Sequence, residues 1–246
     1  MIIGSNLVFY KNLPSTNTEA AGLLKKNELP EGTVVYSDFQ TAGRGQPGNR
    51  WESEKGKNLL LSMILYPASV RPEEQFLLSM TISLGICDFI DRHLAGSKIK
   101  WPNDIYVKND KIAGILIENS LMEDTIESSI AGIGFNINQE KFPGDIPNPV
   151  SLKLITGKEY DTGTCLKELL SDLDRRYKQL LYGNRHQLHN EYINRLYRFN
   201  EPHTYTTAQR VFSGRITAIS FSGLLSIEEE NGKILEFSFK EIDFVL

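Results

Sequence analysis

Residues 40 to 51 read QTAGRGQPGNRW, and the three glycines of this stretch admit two incompatible folds. Gly43, Gly45 and Gly48 match the spacing GxGxxG, and a strand-like run precedes them, as in dinucleotide-binding folds. Such a loop has to open a helix whose N-terminus holds the pyrophosphate. Here Gly48 is followed by Asn49, Arg50 and Trp51, then charged residues and Gly56, and then a second strand-like run. No helix opens, so the dinucleotide reading fails. The chain also lacks a GKS or GKT phosphate loop and the kinase HRD and DFG triplets. What remains is physical. Glycines let backbone N–H groups approach a ligand closely, Arg44 and Arg50 supply planar charge-assisted donors, and Trp51 can close an apolar lid. A solvated Gly/Pro surface loop ending in a core Trp is the equally simple alternative.

Outward from the loop, strand-like runs rich in β-branched and aliphatic residues stand at 33 to 40 and 58 to 65, giving strand, loop, strand. A first helix is expected from Thr16 to about Lys26, with Thr16-Asn17-Thr18-Glu19 as a capping box. Phe76, Leu77, Met80, Leu84, Ile86 and Ile90 keep helical spacing within a long buried helix over 73 to 94. Strands follow at 99 to 107, broken at Pro102, at 112 to 118 and at 129 to 137. The last two are so continuously apolar that both faces should be covered. The run from Leu166 to Leu181 is an amphipathic helix ending at Gly183, where a left-handed cap is easy, and a further helical stretch reaches about Leu196. Beyond Asn200 and Pro202, short alternating segments at 211 to 219, 224 to 229 and 234 to 239, with Asn231-Gly232 as a hairpin turn, read as a small β barrel. Repeats and low-complexity tracts are missing, and Pro and Gly concentrate at 142 to 149.

At 246 residues the chain can bury a full core without disulfides or metals. Its 40% hydrophobic and 24% charged residues are those of a globular protein. A net charge of −4 removes the simplest argument for a nucleic-acid binder, which usually shows a basic face or stripe, and leaves room for a compact basic pocket. Cys87 and Cys165 lie in apolar segments without metal-ligand spacing and read as two buried thiols. No basic leader or cleavage signal opens the chain, and no run approaches the roughly 18 apolar residues of a membrane span, so a cytoplasmic location is expected.

Several other residues invite a chemical reading beside a bland one. Lys111 stands at the entrance of an apolar strand, usually a solvated position, but Gly114 inside that strand marks a close backbone or ligand approach. Ser15-Thr16-Asn17 can cap a helix and can equally present hydroxyls and amides to a small ligand. Trp101-Pro102 is a strand bend and Asn103-Asp104 a turn when read alone. His186 and His189 can share a helix face, yet no acid or thiol stands at a matching distance, so they are expected to be solvated.

Taken together, STN at 15 to 17, QTAGRGQPGNRW at 40 to 51, KWPND at 100 to 104, KIAGILIE at 111 to 118 and GIGFNIN at 132 to 138 resemble the biotin protein ligases in order and spacing. The C-terminal β segment resembles that family's small SH3-like domain. The resemblance implies an α+β fold: a mixed β-sheet with flanking helices, like that of class II aminoacyl-tRNA synthetases, over 1 to 199, plus the small SH3-like β barrel over 200 to 246. It implies a ligase that activates biotin with Mg-ATP to biotinyl-5′-AMP, then transfers the biotinyl group to a lysine of a biotin carboxyl carrier domain. That carrier would belong to acetyl-CoA carboxylase or a related carboxylase. ATP and Mg²⁺ would be cosubstrates, with no tightly bound protein metal.

Carried over by position, Ser15, Thr16, Asn17 and Gln40 would hold the ureido ring. Gly43, Arg44 and Gly45 would wrap the carboxylate and phosphate in a loop that closes over the adenylate, with Gln46 beside them and Trp51 as cover. Lys111 would stand beside the reacting groups, Gly114 would let the backbone pass close, and Arg50 and Asn136 would lie on the nucleotide side. Asp104 would orient a lysine or Mg²⁺. Many members read GRGRxGR, so Gln46 and Asn49 replace two arginines and weaken the implied grip on the adenylate. The adenine-stacking aromatic of some members has no counterpart at 149 to 152. With about 15 residues before STN, a winged-helix DNA-binding domain is not expected, nor DNA as a partner; a homodimer stays open. Two rivals are a lipoate or octanoate ligase or transferase and a non-catalytic biotin-binding protein.

Overall fold

The computed structural model describes residues 1–26, 28–144 and 146–245. Its centre is the run LLLSMIL, which forms strand β3 (Leu59–Leu65) with every residue buried. Ahead of it in the chain come β1 (Leu7–Tyr10), helix α1 (Thr16–Leu24) and β2 (Val34–Ser37). After it come α2 (Phe76–Asp91), β4 (Ser97–Lys100), β5 (Asp104–Val107), β6 (Asp110–Met122) and β7 (Thr125–Phe135). These seven strands make one sheet in the order β1-β2-β3-β7-β6-β5-β4, with only β1 and β2 parallel among the pairings. Helices α3 (Leu152–Thr156), α4 (Thr162–Leu181) and α5 (Arg185–Asn194) follow.

Alternation along the strands gives the sheet two different faces. On one face Leu61, Met63, Ala131, Ile133 and Phe135 join the core of α2 and α4, with Phe89 meeting Phe135 edge to face at 5.3 Å between ring centroids. Helix α2 is apolar and buried nearly all round, as a helix wedged between a sheet and other helices must be. Gly85 lets α4 approach closely, because a Cβ there would sit 2.8 Å from Leu173. On the other face Ile64, Ile130 and Val35 pack beneath Ala20 of α1, and the neighbouring positions of the same face remain open.

The remaining chain forms a five-stranded antiparallel sheet, β11-β10-β9-β8-β12, from β8 (His203–Thr206), β9 (Val211–Ile219), β10 (Leu225–Glu229), β11 (Ile234–Phe237) and β12 (Asp243–Phe244). No pairing joins β11 to β12 among the described residues, so the observed unit is a sheet, with closure into a barrel not seen in its hydrogen bonding. It docks on the KWPND turn. The Trp101 indole N–H donates to the Gly223 carbonyl at 2.9 Å, and Phe239 packs on both Trp101 and Phe76.

Several sequence expectations change. The capping residue of α1 is Ser15 in place of Thr16, and no side-chain cap forms. The Thr16 hydroxyl turns to Gln40 and Ser62, and the Glu19 carboxylate accepts from the Tyr10 hydroxyl. The 99 to 107 run is a hairpin turned at Trp101–Pro102, a cis peptide bond. Strands β6 and β7 extend well beyond the apolar runs because Asn119 to Met122 pair with Thr125 to Ser129 at an exposed tip. Both thiols are free and buried, as expected, and Gly183 takes the left-handed conformation after α4. His189 lies against Phe221 with its ring 2.6 Å from the Ile219 carbonyl. Of the 142 to 149 loop, Asp145 lies outside the described residues.

A charged cluster ties α2 to α4 and α5. Arg176, 7% exposed, donates to both carboxylate oxygens of Asp88 at 2.5 and 3.0 Å and also to Glu191. Burial opposes ionisation of Asp88, but the Arg176 and Arg175 guanidinium bonds outweigh it and hold the carboxyl below its ordinary range. A depressed folded pKa means that this stabilisation is present above about pH 3.9 and is lost as pH falls through the folded value. Asp88→Asn is therefore expected to cost about 3 kcal/mol at neutral pH, since it leaves a buried guanidinium short of its partner. Urea unfolding at pH 7 and below pH 4 checks this: the difference between variant and wild type should shrink in acid.

Candidate functional site

The open part of the sheet's second face is floored by residues without side chains. Across β3, β7 and β6, Ser62 pairs with Gly132 and Gly132 with Leu116, while in the next row Leu60 pairs with Gly134 and Gly134 with Gly114. A Cβ at Gly132 would stand 2.2 Å from Asn17 Oδ1, and one at Gly134 would stand 2.2 Å from the Trp51 indole. At Gly114 it would meet the same indole at 3.0 Å and the Lys111 side chain at 3.3 Å. Thus Trp51 lies flat on Gly114 and Gly134, and Asn17 reaches the strand backbone over Gly132.

A cleft of about 110 Å³ opens over this floor. One end is polar. Thr16 donates its backbone N–H to Gln40 Oε1 at 2.7 Å, and Ser62 donates to Thr16 Oγ1 or Asn17 Oδ1 at 2.7 and 2.5 Å. Asn17 in turn donates to Glu118 at 2.8 Å. Ser15, Thr16, Asn17 and Ser62 are all nearly fully buried, and their fixed donors and acceptors suit a small neutral ligand with amide-like edges. The other end is charged: Lys111 Nζ sits 2.7 Å from Asp104 Oδ1 and 5.6 Å from the centre of the Trp51 ring.

The glycine-rich loop is folded back on itself as a narrow hairpin. Trp51 N–H donates to the Gly43 carbonyl, Gly45 N–H to Asn49 and Asn49 N–H to Gln46, with Gly48 in the left-handed region at φ 93°. Arg44 forms a two-point bridge to Glu118 at 2.6 and 3.1 Å. At the hairpin tip, Lys240 of the C-terminal sheet donates to the Pro47 carbonyl at 2.7 Å.

Of the residues singled out in the sequence, Ser15, Thr16, Asn17, Gln40, Arg44, Gly45, Gln46, Arg50, Trp51, Asp104, Lys111 and Gly114 all line this cleft. Gly43 does not. It lies at the base of the hairpin, where a Cβ would strike the Trp51 carbonyl at 2.2 Å, so it shapes the loop. Asn136 faces a second cavity of about 520 Å³, which shares Arg50, Trp51, Asp104 and Lys111 with the first. Its Nδ2 donates to the Val150 carbonyl at 3.0 Å, and its buried Oδ1 has no partner among the described residues. Phe142 and Pro149 also line this second cavity. Sequence reasoning overlooked Ser62, Glu118, Gly132 and Gly134. The signals were a single hydroxyl inside LLLSMIL, the carboxylate closing KIAGILIE, and two glycines spaced to fall on one strand face.

Among the described residues, no group of three or more His, Cys, Asp and Glu side chains is arranged to hold a metal ion. None of the described helices is long and apolar enough to cross a membrane.

The family model for the "Biotin/lipoate A/B protein ligase family" matches residues 9–136. The chain belongs to this family. Both cavities are walled mainly by the family segment. The bifunctional ligase/repressor BirA of Bacillus subtilis (strain 168) is 34% identical over 190 residues, which cover 73% of this chain and 56% of that protein. The biotin–[acetyl-CoA-carboxylase] ligase of Mycobacterium tuberculosis is 27% identical over 174 residues, 69% of this chain and 63% of that protein. The chain thus spans little more than half the length of the first of these curated relatives. Among solved structures, a biotin protein ligase from Aquifex aeolicus in complex with biotin and ATP has a TM-score of 0.81 at 26% identity, covering 97% of this chain and 98% of that one.

The Arg44 bridge is exposed on both sides, at 46% and 38%, so it adds about 1 kcal/mol or less to global stability. Its effect is local, because it fastens the hairpin to β6. Glu118→Gln is expected to leave the urea midpoint nearly unchanged while speeding tryptic cleavage after Arg44 and Arg50. An unchanged cleavage rate would show that the bridge does not hold the loop.

Proposed function

We propose that this protein is a biotin–protein ligase acting in two steps within the two joined cavities. The observation that carries the reading is the division of one cleft into a neutral, hydrogen-bonding end at Thr16, Asn17 and Gln40, backed by the buried Ser62, and a cationic end at Lys111, with Trp51 on the glycine floor beside it. Biotin has that polarity: a ureido ring at one end and a carboxylate at the other. Glu118, by binding Asn17, fixes which way its amide points.

In the first step, a biotin carboxylate oxygen forms a bond to the α-phosphorus of ATP and the bond to the β-phosphate oxygen breaks, releasing pyrophosphate. Lys111 stands where negative charge accumulates on the carboxylate and phosphate, and its partnership with Asp104 keeps the ammonium in place before substrate arrives. Arg44 exchanges Glu118 for the new anion as the hairpin closes, and Gln46 and Arg50 approach from the same loop. Trp51 excludes water from the mixed anhydride. Mg²⁺ enters with ATP as cosubstrate. Beside it, the neutral oxygen of Asn136 and the Lys111-paired Asp104 would be the protein groups at hand, and the phosphates would supply its main charge partners. In the second step, the neutral ε-amine of a carrier-domain lysine attacks the acyl carbon, AMP leaves, and the amine nitrogen gives up a proton.

Biotin-dependent exchange of labelled pyrophosphate into ATP tests the first step, and transfer to a biotin carboxyl carrier domain tests the second. Exchange with lipoate in place of biotin would identify the other branch of the family, and tight biotin binding without exchange would identify a binding protein. Lys111→Ala is expected to lower adenylate formation by roughly 100- to 1,000-fold, the cost of deleting a major transition-state donor, with an unfolding curve close to wild type. Turnover within a few fold of wild type would remove Lys111 from this role.

A further inference from the structure

Lys100 ends β4, one residue before the turn that carries the C-terminal sheet, and its side chain enters the wall of the second cavity. The surroundings are unusual for a lysine. Its Nζ lies 5.3 Å from the Tyr106 ring centre and 5.2 Å from that of Phe244, and no carboxylate among the described residues lies within ion-pair distance. Of the two acids that act on it from further off, Asp104 and Asp243, Asp104 is taken by Lys111 at 2.7 Å. The described lining of the cavity carries Arg50, Lys100 and Lys111 against Glu52 and Asp104, a cationic balance in a chain of net charge −4. Burial lowers the proton affinity of Lys100, and Asp104 and Asp243 offset this only in part because Lys111 and Arg198 are also near. Tyr106 stays a neutral phenol, since burial pushes it up to about 12. Lys100 is therefore a partly desolvated cation held by two aromatic faces, an arrangement that gains when a multivalent anion arrives.

The position along the ligand path selects which anion. Trp51, Asp104 and Lys111 line both cavities and mark the junction where acyl and phosphoryl groups meet. Lys100 belongs only to the second cavity, at its C-terminal-sheet side. We infer that Lys100 binds the β- and γ-phosphates of ATP, and hence the pyrophosphate leaving group, while Lys111 serves the α-phosphate. This rests on the ligase reading given above. It makes Lys100 a residue of the first step alone, because the adenylate that enters the second step has lost those two phosphates.

Two variants separate charge from packing. Lys100→Met keeps the apolar stem between Tyr106 and Phe244 and removes the charge; Lys100→Arg keeps the charge. Pyrophosphate affinity is measured directly by titration calorimetry, and KM values for ATP and pyrophosphate come from the exchange reaction. Aminolysis is followed from preformed biotinyl-5′-AMP. K100M should weaken pyrophosphate binding and raise both KM values by about tenfold or more, the worth of one charge-assisted hydrogen bond, and K100R should restore most of this. Biotin affinity and aminolysis should stay at wild-type levels in both variants. The inference is overturned if wild type binds no pyrophosphate, if K100M binds it as well as wild type, or if K100M loses aminolysis in equal measure. Equal loss would mean that Lys100 acts through the seat of the C-terminal sheet. A wild-type protein that binds pyrophosphate through Lys100 yet shows no biotin-dependent exchange would refute the ligase reading and leave only the pyrophosphate site at Lys100 standing.

Discussion

A sheet covered on one face by helices must leave bare backbone on the other if a flat group is to lie against it. In this protein that constraint falls on Gly114, Gly132 and Gly134, three positions in adjacent strands whose missing Cβ atoms make room for Trp51 and Asn17. Everything around the site depends on it. The indole covers the glycine floor of the cleft, the backbone of Trp51 closes the loop hairpin onto Gly43, and Asn17 spans from Ser62 to Glu118 only because Gly132 does not obstruct it. The opposite face carries the burden of stability, with α2 and α4 packed on the aliphatic rows and the Asp88–Arg176 pair fastening the helices together.

The division of labour separates rigidity from response. The polar end of the cleft is buried and multiply bonded, so its donors are aimed before any ligand arrives. The charged end is held by contacts that a ligand can replace: an exposed Arg44–Glu118 bridge, and a loop tip touched by Lys240. Such contacts contribute little to global stability and so can be exchanged at low cost.

Much of this was legible because strong periodicity reports burial directly. Leu166, Leu169, Leu170, Leu173, Tyr177 and Leu180 marked α4, and all are buried. Strand β1 escaped notice because Leu7–Tyr10 is a four-residue edge strand with Leu7 and Phe9 exposed, and α3 because one turn of helix has no period to read. The helix start at Thr16 is legible, but its cap reads one residue late, because the hydroxyl and amide of Thr16 and Asn17 serve the cleft in place of a cap. Lys111, Gly114 and the loop stood out as local exceptions to pattern. Ser62 did not, since a lone serine in an apolar run looks like tolerated polarity until the strand register sets it beside Thr16 and Asn17. Trp101 shows the reverse: a prominent motif residue whose neighbours are Gly223 and Phe239, which only the tertiary fold supplies.

The chain contains two tryptophans, and the fold gives them different surroundings. Trp51 is half-buried on the glycine floor with its indole N–H unpartnered among the described residues. Trp101 is 3% exposed and hydrogen-bonded across to the C-terminal sheet. The molecule therefore carries two built-in optical reporters that answer separate questions. Emission from Trp51 follows events in the cleft, and emission from Trp101 follows the seating of one sheet on the other.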